Sequence, residues 1–282
     1  MHTPVFLEKV LSHVHIPQDT RYIDATLGEG GHTLALARKG LHLLAIDADT
    51  TQIEAFRQKN RSEETGSRIS VVEGNYAQVA SIARTNEFDQ CDGVLFDLGL
   101  SMRQLTEGEG FSYKHLHQPL DMIIDTIAKQ GGATRAADVV ASYSYKELKT
   151  LFEKFGERIH ADRIAGAIVG SRSKKRIETV DDLVQIVGKV ASQHDMPAIF
   201  QAIRIEVNRE FEKLSQGLQG AWEVVRPGGT IQIITFHSGE DRLVKLWARK
   251  LALREVAKYV GRAVSQDRFE RSAVLRVYER TL

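Results

Sequence analysis

One cysteine, Cys91, stands in 282 residues. A disulfide within the chain is therefore excluded, and a cysteine-built zinc site is argued against. Prolines number only five, and the 22 glycines follow no fixed period, which excludes collagen-like and low-complexity classes. Neither sign of charge dominates: 38 basic against 37 acidic residues give +1. Any nucleic-acid binding must then come from a local patch rather than from the global field. No stretch approaches the roughly 18 apolar residues of a membrane helix. The opening "MHTPVFLEKVLSHVHIPQD" lacks the long uncharged core and cleavage signature of a secretory leader. These absences predict a cytoplasmic protein in a reducing compartment, with no membrane partner. The 42% hydrophobic content suits one large or two modest folded domains.

What is present begins with alternation. "RYIDATL", "LHLLAIDAD", "RISVVEGNY" and "CDGVLFDLGLS" read as strands, separated by the helical "HTLALARKG", "TTQIEAFRQKNRSEE" and "AQVASIARTN". A β-α-β-α-β-α-β order predicts a parallel sheet with helices on both faces. Gly28, Asp47, Gly74-Asn75 and Asp97 close the four strands, so polar or glycine residues converge outside their carboxyl ends, where such sheets bind ligands. From about 106 to 196 the pattern turns helical and predicts an inserted subdomain. After Pro197, "AIFQAIRIEVNREFEKLSQGLQGAWEVV" carries Phe200, Ile203, Val207, Phe211, Leu214, Leu218, Ala221 and Val225 on one stripe, which predicts a single long helix. "TIQIITFHS" reads as a fifth strand, "GEDRLVKLWARKLAL" as a helix and "RSAVLRVYER" as a final edge strand. The predicted division is 1–105 with 197–282, and 106–196.

"DATLGEGGHT", residues 24–33, places three glycines between a strand and a helix. Such a turn lets backbone approach a ligand, and the helix start offers unpaired N–H groups. A dinucleotide site wants a third glycine where Thr33 stands, and Asp24 and Glu29 are poor neighbours for a pyrophosphate. S-adenosylmethionine, with its amino acid and sulfonium, suits the acids better. Asp47, about 20 residues beyond the first glycine, is placed to accept ribose hydroxyls of either cofactor. A turn that only packs helix on strand is the remaining reading. Asp97 in "FDLG" is placed to accept the N–H of an amine whose lone pair is delocalised into a base. It serves equally well as a partner for the cofactor's amino group, or as a strand-end cap.

"HTPVFLEKVL", "DATLGEGGHT", "DGVLFDLGLS", "GFSY" with "PLDM", "FGER", "FQAIRIEVNRE", "RPGGTIQIITFHSGEDRLVK" and "RSAVLR" follow one another along the chain. In this order the sequence resembles, over essentially its whole length, the bacterial 16S ribosomal RNA cytosine N4-methyltransferases (the RsmH or MraW family). The resemblance implies a Rossmann-like class I methyltransferase fold of the α/β class with an inserted helical subdomain for substrate recognition. It also implies S-adenosylmethionine as cofactor and 16S ribosomal RNA in the small ribosomal subunit as partner. The reaction it implies is methylation of a cytidine on N4 in the decoding region. By motif, Gly30, Gly31, His32, Asp47, Tyr76, Asp97 and Gln104 are expected at the cofactor, with Asp97 the catalytic candidate.

Several departures from the family pattern stand out, and the cofactor half matches it better than the RNA-facing half. Ile123 stands where the family has arginine, "HDMPAI" replaces an arginine-containing stretch, and Gly239 replaces leucine. A divergent methyltransferase acting on another RNA or a small molecule is the alternative reading. Arg172, Lys174, Lys175 and Arg176 in "SRSKKR" form the one dense basic run, a phosphate-binding candidate or a solvated loop. His2, His13, His15, His115, His117 and His194 lack metal-ligand spacing, so no catalytic metal is expected. Phe111 and Tyr113 are candidates to stack on a flipped base, or pack locally. Arg204 and Asn208 share a helix face and point into the crevice or bond a neighbouring loop. His237 and Ser238 offer a base contact or a helix cap.

Overall fold

The computed structural model describes residues 4–14, 19–60, 67–156, 160–261 and 271–281. Two compact units divide the chain, residues 1–99 with 211–282 and residues 100–210. The first holds the sheet: β1 (Arg21–Asp24), β2 (His42–Asp47), β3 (Ile69–Glu73), β4 (Cys91–Asp97), β5 (Val225–Thr235), β6 (Arg254–Val260) and β7 (Val274–Glu279). Their order is β3-β2-β1-β4-β5-β7-β6. β1 to β5 pair in parallel, and β7 runs antiparallel to β5 and β6. The same unit carries α1 (Leu7–Ser12), α2 (Gly31–Arg38), α3 (Thr50–Lys59) and α4 (Val79–Thr85).

Strand periodicity explains why both faces are covered. Ile23, Leu44, Ile46, Val94, Phe96, Ile231 and Ile233 face one core, which also holds Val79, Ala83, Leu214, Leu218 and Trp247. The alternate residues Tyr22, Leu43, Leu95 and Ile234 face the other, with Val10, Leu36, Ala37 and Leu41. Near-continuous apolar runs such as "HLLAI" are what a strand buried on both sides requires.

The second unit is helical, with α5 (Met102–Glu107), α6 (Thr126–Gln130), α7 (Ala136–Ser142), α8 (Tyr145–Phe155), α9 (Ala161–Arg172), α10 (Val180–Val187) and α11 (Met196–Asn208). Ser144 with Glu147 and Thr179 with Asp182 form capping boxes that start α8 and α10. α8 packs on α9 and α11, and α7 on α9 and α11. No helix among the described residues is long and apolar enough to cross a membrane.

Several expectations are corrected. The stripe beginning at Phe200 is two helices, α11 and α12 (Glu210–Val224), because Arg209 adopts a left-handed conformation (φ 50°) and ends the first. α11 packs with the helical unit, so that unit runs from 100 to 210 rather than from 106 to 196. β5 begins at Val225, one residue ahead of "RPGG" and five before the expected "TIQIITFHS". β7 is an interior strand, and the edge is β6, whose alternation is interrupted by a register shift between Glu255 and Ala257. α13 (Ser238–Lys250) is capped by His237, and α3 by Asp49.

Candidate active site

The order of the strands reverses between β1 and β4, which opens a crevice beyond their carboxyl ends. Asp24 ends β1, Asp47 ends β2 and Asp97 ends β4. The turn from β1 into α2 uses positive φ at Gly28 (51°) and Gly30 (79°). A Cβ on Gly30 would lie 2.2 Å from the Phe56 ring, and one on Gly31 2.4 Å from Pro4 Cγ. The turn is thus held tight by α3 and by the segment ahead of α1. The first-turn N–H groups of α2, at Gly31, His32 and Thr33, have no intrahelical acceptor.

Two threonines tie this turn to the strand ends, Thr33 to β1 and Thr26 to β1 and β4. Thr33 Oγ1 donates to Asp24 Oδ2 at 2.6 Å, and the Thr26 N–H donates to Asp24 Oδ1 at 3.2 Å. The Asp97 N–H in turn donates to Thr26 Oγ1 at 2.7 Å. His32, 5% exposed, points Nε2 at Asp97 Oδ2 from 3.5 Å, an ionic contact longer than a well-formed hydrogen bond. Both His32 ring nitrogens and Asp97 Oδ1 are buried and lack a hydrogen-bond partner among the described residues. Burial pushes the Asp24 carboxyl up to about 6, against the opposing pull of Thr33 and His32. Burial disfavours the His32 imidazolium, but Asp97 and Asp24 outweigh it and hold the group above its ordinary value. The site is therefore an acidic crevice around a buried imidazole, with polar atoms available to a ligand.

Asp47 receives the Gly28 N–H at 2.8 Å and the Asp49 N–H at 2.9 Å, one on each oxygen. Burial raises its carboxyl to about 6, against these two backbone bonds. Each oxygen keeps a lone pair, so both remain able to accept from a diol. Tyr76 follows the Gly74 N–H that continues the β2 ladder on the Asp47 carbonyl at 2.9 Å. Its ring meets Phe96 edge-on at 6.0 Å and lies against Gly217, where a Cβ would come within 2.9 Å.

The remaining predicted residues are placed as follows. Gln104, in the helical unit, closes a capping box on α5, its Oε1 accepting the Ser101 N–H at 3.0 Å. Arg172 is a structural tie, its Nη1 donating to the carbonyls of Val140 (2.8 Å) and Tyr143 (2.6 Å). Lys175 pairs with Asp182 and Arg176 with Glu178, both at 2.5 Å. Lys174 is exposed. Arg204 forms two bonds to Glu210 (2.8 and 3.0 Å). The Asn208 amide accepts from the Ile124 N–H at 2.9 Å and donates to the Met122 carbonyl at 2.7 Å. Asn208 thus clamps the loop holding buried Ile123, as the loop reading has it, whereas Arg204 pairs with the first residue of α12. Tyr113 packs edge-on against Phe200 at 6.0 Å. The ring of His237 stacks on Phe211 at 5.8 Å, and a side chain on Gly239 would meet that ring at 2.6 Å. Cys91 is buried at the far end of β4 from Asp97, where burial raises its thiol to about 12. His2 and His15 lie outside the described residues.

Sequence reasoning did not assign Thr26 a role, and treated Thr33 only as a missing glycine. The one signal available was that "DATLGEGGHT" carries two threonines, at positions 26 and 33, where a glycine turn needs neither.

A family model described as the MraW methylase family matches residues 1–280. The ribosomal RNA small subunit methyltransferase H of Fusobacterium nucleatum is 41% identical over 260 residues, covering 89% of this chain and 80% of its own. The protein of the same name from Thermomicrobium roseum is 40% identical over 260 residues, covering 89% and 78%. That from Persephonella marina is 36% identical over 296 aligned positions, covering 99% of both chains.

Proposed function

Because the chain belongs to the MraW methylase family, we propose that it methylates N4 of a cytidine in the decoding region of 16S ribosomal RNA, within the small ribosomal subunit in the cytoplasm. The enzyme is a methyltransferase, and its cofactor is S-adenosylmethionine. The observation that carries the reading is the cluster of buried Asp24, buried His32 and half-buried Asp97 at the β1/β4 crevice, with unpartnered His32 nitrogens and Asp97 Oδ1.

Those atoms fit the cofactor's zwitterionic methionyl end. His32 and the first-turn N–H groups at Gly31 and beyond would hold its carboxylate, and an acidic wall suits its positive charges. Gly30 keeps the turn close, Asp47 would take the ribose diol, and Tyr76 would border the adenine. Gln104 belongs to this set by motif. When bound, S-adenosylmethionine supplies an electrophilic methyl group on a sulfonium. Asp97 accepts an N–H of the cytosine amine and turns the nitrogen lone pair toward that methyl group, after which the carboxylate or solvent takes the proton. The protein's other contribution is to orient the amine and exclude water.

The helical unit, residues 100–210, is assigned to substrate recognition. Lys174 is the basic residue of "SRSKKR" best placed for a phosphate. Arg176 joins it by exchanging Glu178, an exposed partner that holds it only weakly, and Lys175 by leaving the half-buried Asp182. Arg172, engaged by two carbonyls, supports phosphate binding least. That engagement also favours a second reading, a methyltransferase acting on another RNA or a small molecule.

The test is incubation with radiolabelled S-adenosylmethionine and small subunits lacking N4-methylcytidine, followed by nucleoside analysis. Label in N4-methylcytidine, lost in Asp97→Ala, is the expected result. Cofactor binding without that label would reject the substrate and direct the search to a different acceptor.

A further inference from the structure

The β1–β4 ladder ends before Asp97. Its last described register pair is Asp24 with Leu95, and its last backbone bond runs from the Ala25 N–H to the Leu95 carbonyl at 2.9 Å. In a parallel ladder the next bond would run from the Asp97 N–H to the Ala25 carbonyl. Instead the Asp97 N–H meets the hydroxyl of Thr26 at 2.7 Å. A side chain has replaced a backbone acceptor at the point where the two strands must part to form a crevice. On the other flank β4 stays in register two residues longer, to Asp97 with Ile234, the Leu98 N–H donating to the Ile234 carbonyl at 3.0 Å.

The consequence falls on the Asp97 side chain. Oδ1 has no partner among the described residues, and Oδ2 has only the 3.5 Å approach of His32. Side-chain hydrogen bonds therefore do little to orient this carboxylate. Its orientation comes from its backbone, and on the β1 side that backbone is held by Thr26. The Thr26 N–H also bonds Asp24, so one residue links the carboxylates that flank His32.

We propose that Thr26 is a positioning residue that sets the Asp97 carboxylate for cofactor and amine through the hydroxyl-to-amide bond. The inference rests on the reading of Asp97 as a residue of the cofactor site. Removing the hydroxyl while keeping the β-branched shape, Thr26→Val, should weaken binding of S-adenosylhomocysteine about 3–10-fold, the worth of one hydrogen bond. Thr26→Ser should restore it.

The experiment is a double-mutant cycle by calorimetry with S-adenosylhomocysteine on wild type, Thr26→Val, Asp97→Ala and the double variant, with Thr26→Ser as rescue and thermal melting as a check on folding. The expected result is that Thr26→Val weakens binding in the wild type and adds nothing in the Asp97→Ala background. Full additivity, unchanged binding in Thr26→Val, or no rescue by serine would each overturn the proposal. If Asp97→Ala itself binds as wild type does, the reading of Asp97 fails first, and this inference falls with it. If Thr26→Val does not fold, Thr26→Ala takes its place. Loss of folding in both, with Thr26→Ser folded, would make the hydroxyl a requirement of the fold and also overturn it.

Discussion

Tyr22 on β1 is joined to Gln232 on β5 across an intervening strand, Gln232 Nε2 donating to the Tyr22 hydroxyl at 2.9 Å. The strand between them carries Gly93, where a Cβ would lie 2.3 Å from the Tyr22 ring and 2.8 Å from the Thr230 carbonyl oxygen. Glycine at this position lets a tyrosine lie over β4. Gly93→Ala is therefore expected to destabilise the protein by about 1–3 kcal/mol through overpacking, read as a lower urea midpoint at unchanged slope. An unchanged midpoint would refute the steric account.

Asp24 makes stability depend on pH with an unusual sign. Its native carboxyl, raised to about 6, holds a proton that the unfolded chain releases near 3.8. The native state therefore binds more protons between those values, and stability falls as pH rises through the window. The contribution is present below about pH 4 and lost above about 6, amounting to up to about 3 kcal/mol. Asp24→Asn should remove this fall, so that the stability difference between wild type and variant shifts against wild type from pH 4 to pH 7. Denaturant titrations at a series of pH values measure it, and parallel curves would show that the group is not perturbed.

Asn208 should be among the most sensitive positions of the helical unit. It satisfies the Met122 carbonyl and the Ile124 N–H, and Met122 itself is buried in a left-handed conformation (φ 64°). Asn208→Ala leaves both backbone groups unpaired and is expected to cost about 2–4 kcal/mol. Faster amide exchange at Ile124, alongside a lower melting temperature, would locate the loss in this loop.

Arg172 and Lys174 should separate structure from RNA binding. Arg172→Ala removes two bonds to the end of α7 and should lower stability by about 1–3 kcal/mol. Lys174→Ala should leave melting unchanged and reduce the salt dependence of ribosomal RNA binding by about one phosphate contact. Equal effects of the two substitutions on RNA affinity at constant stability would contradict the assignment.

The alternation of the first four strands was legible because each strand is an apolar run bounded by polar residues, and the family was legible because its motifs span the chain. The break at Arg209 was not. The apolar stripe continues through it at helical spacing, and a single left-handed residue leaves no mark on periodicity. β6 was hidden for a related reason, since a bulge at Glu255/Ala257 and three exposed charged residues (Arg254, Glu255 and Lys258) blur its alternation. At the site, the glycines and Asp47 could be read from spacing. The Thr26 bond to Asp97 spans 71 residues of sequence and becomes visible only when β1 and β4 lie side by side.

β6 is synthesised before β7, yet β7 is its neighbour in the sheet and also pairs with the outer edge of β5 from Thr230 to Thr235. As the chain leaves the ribosome, the apolar flank of β5 waits uncovered and β6 has nothing to join until residues 274–279 emerge. β6 can therefore join the sheet only through β7. Truncations or stalled translation ahead of Val274 should yield chains whose open edge favours aggregation over partial folding.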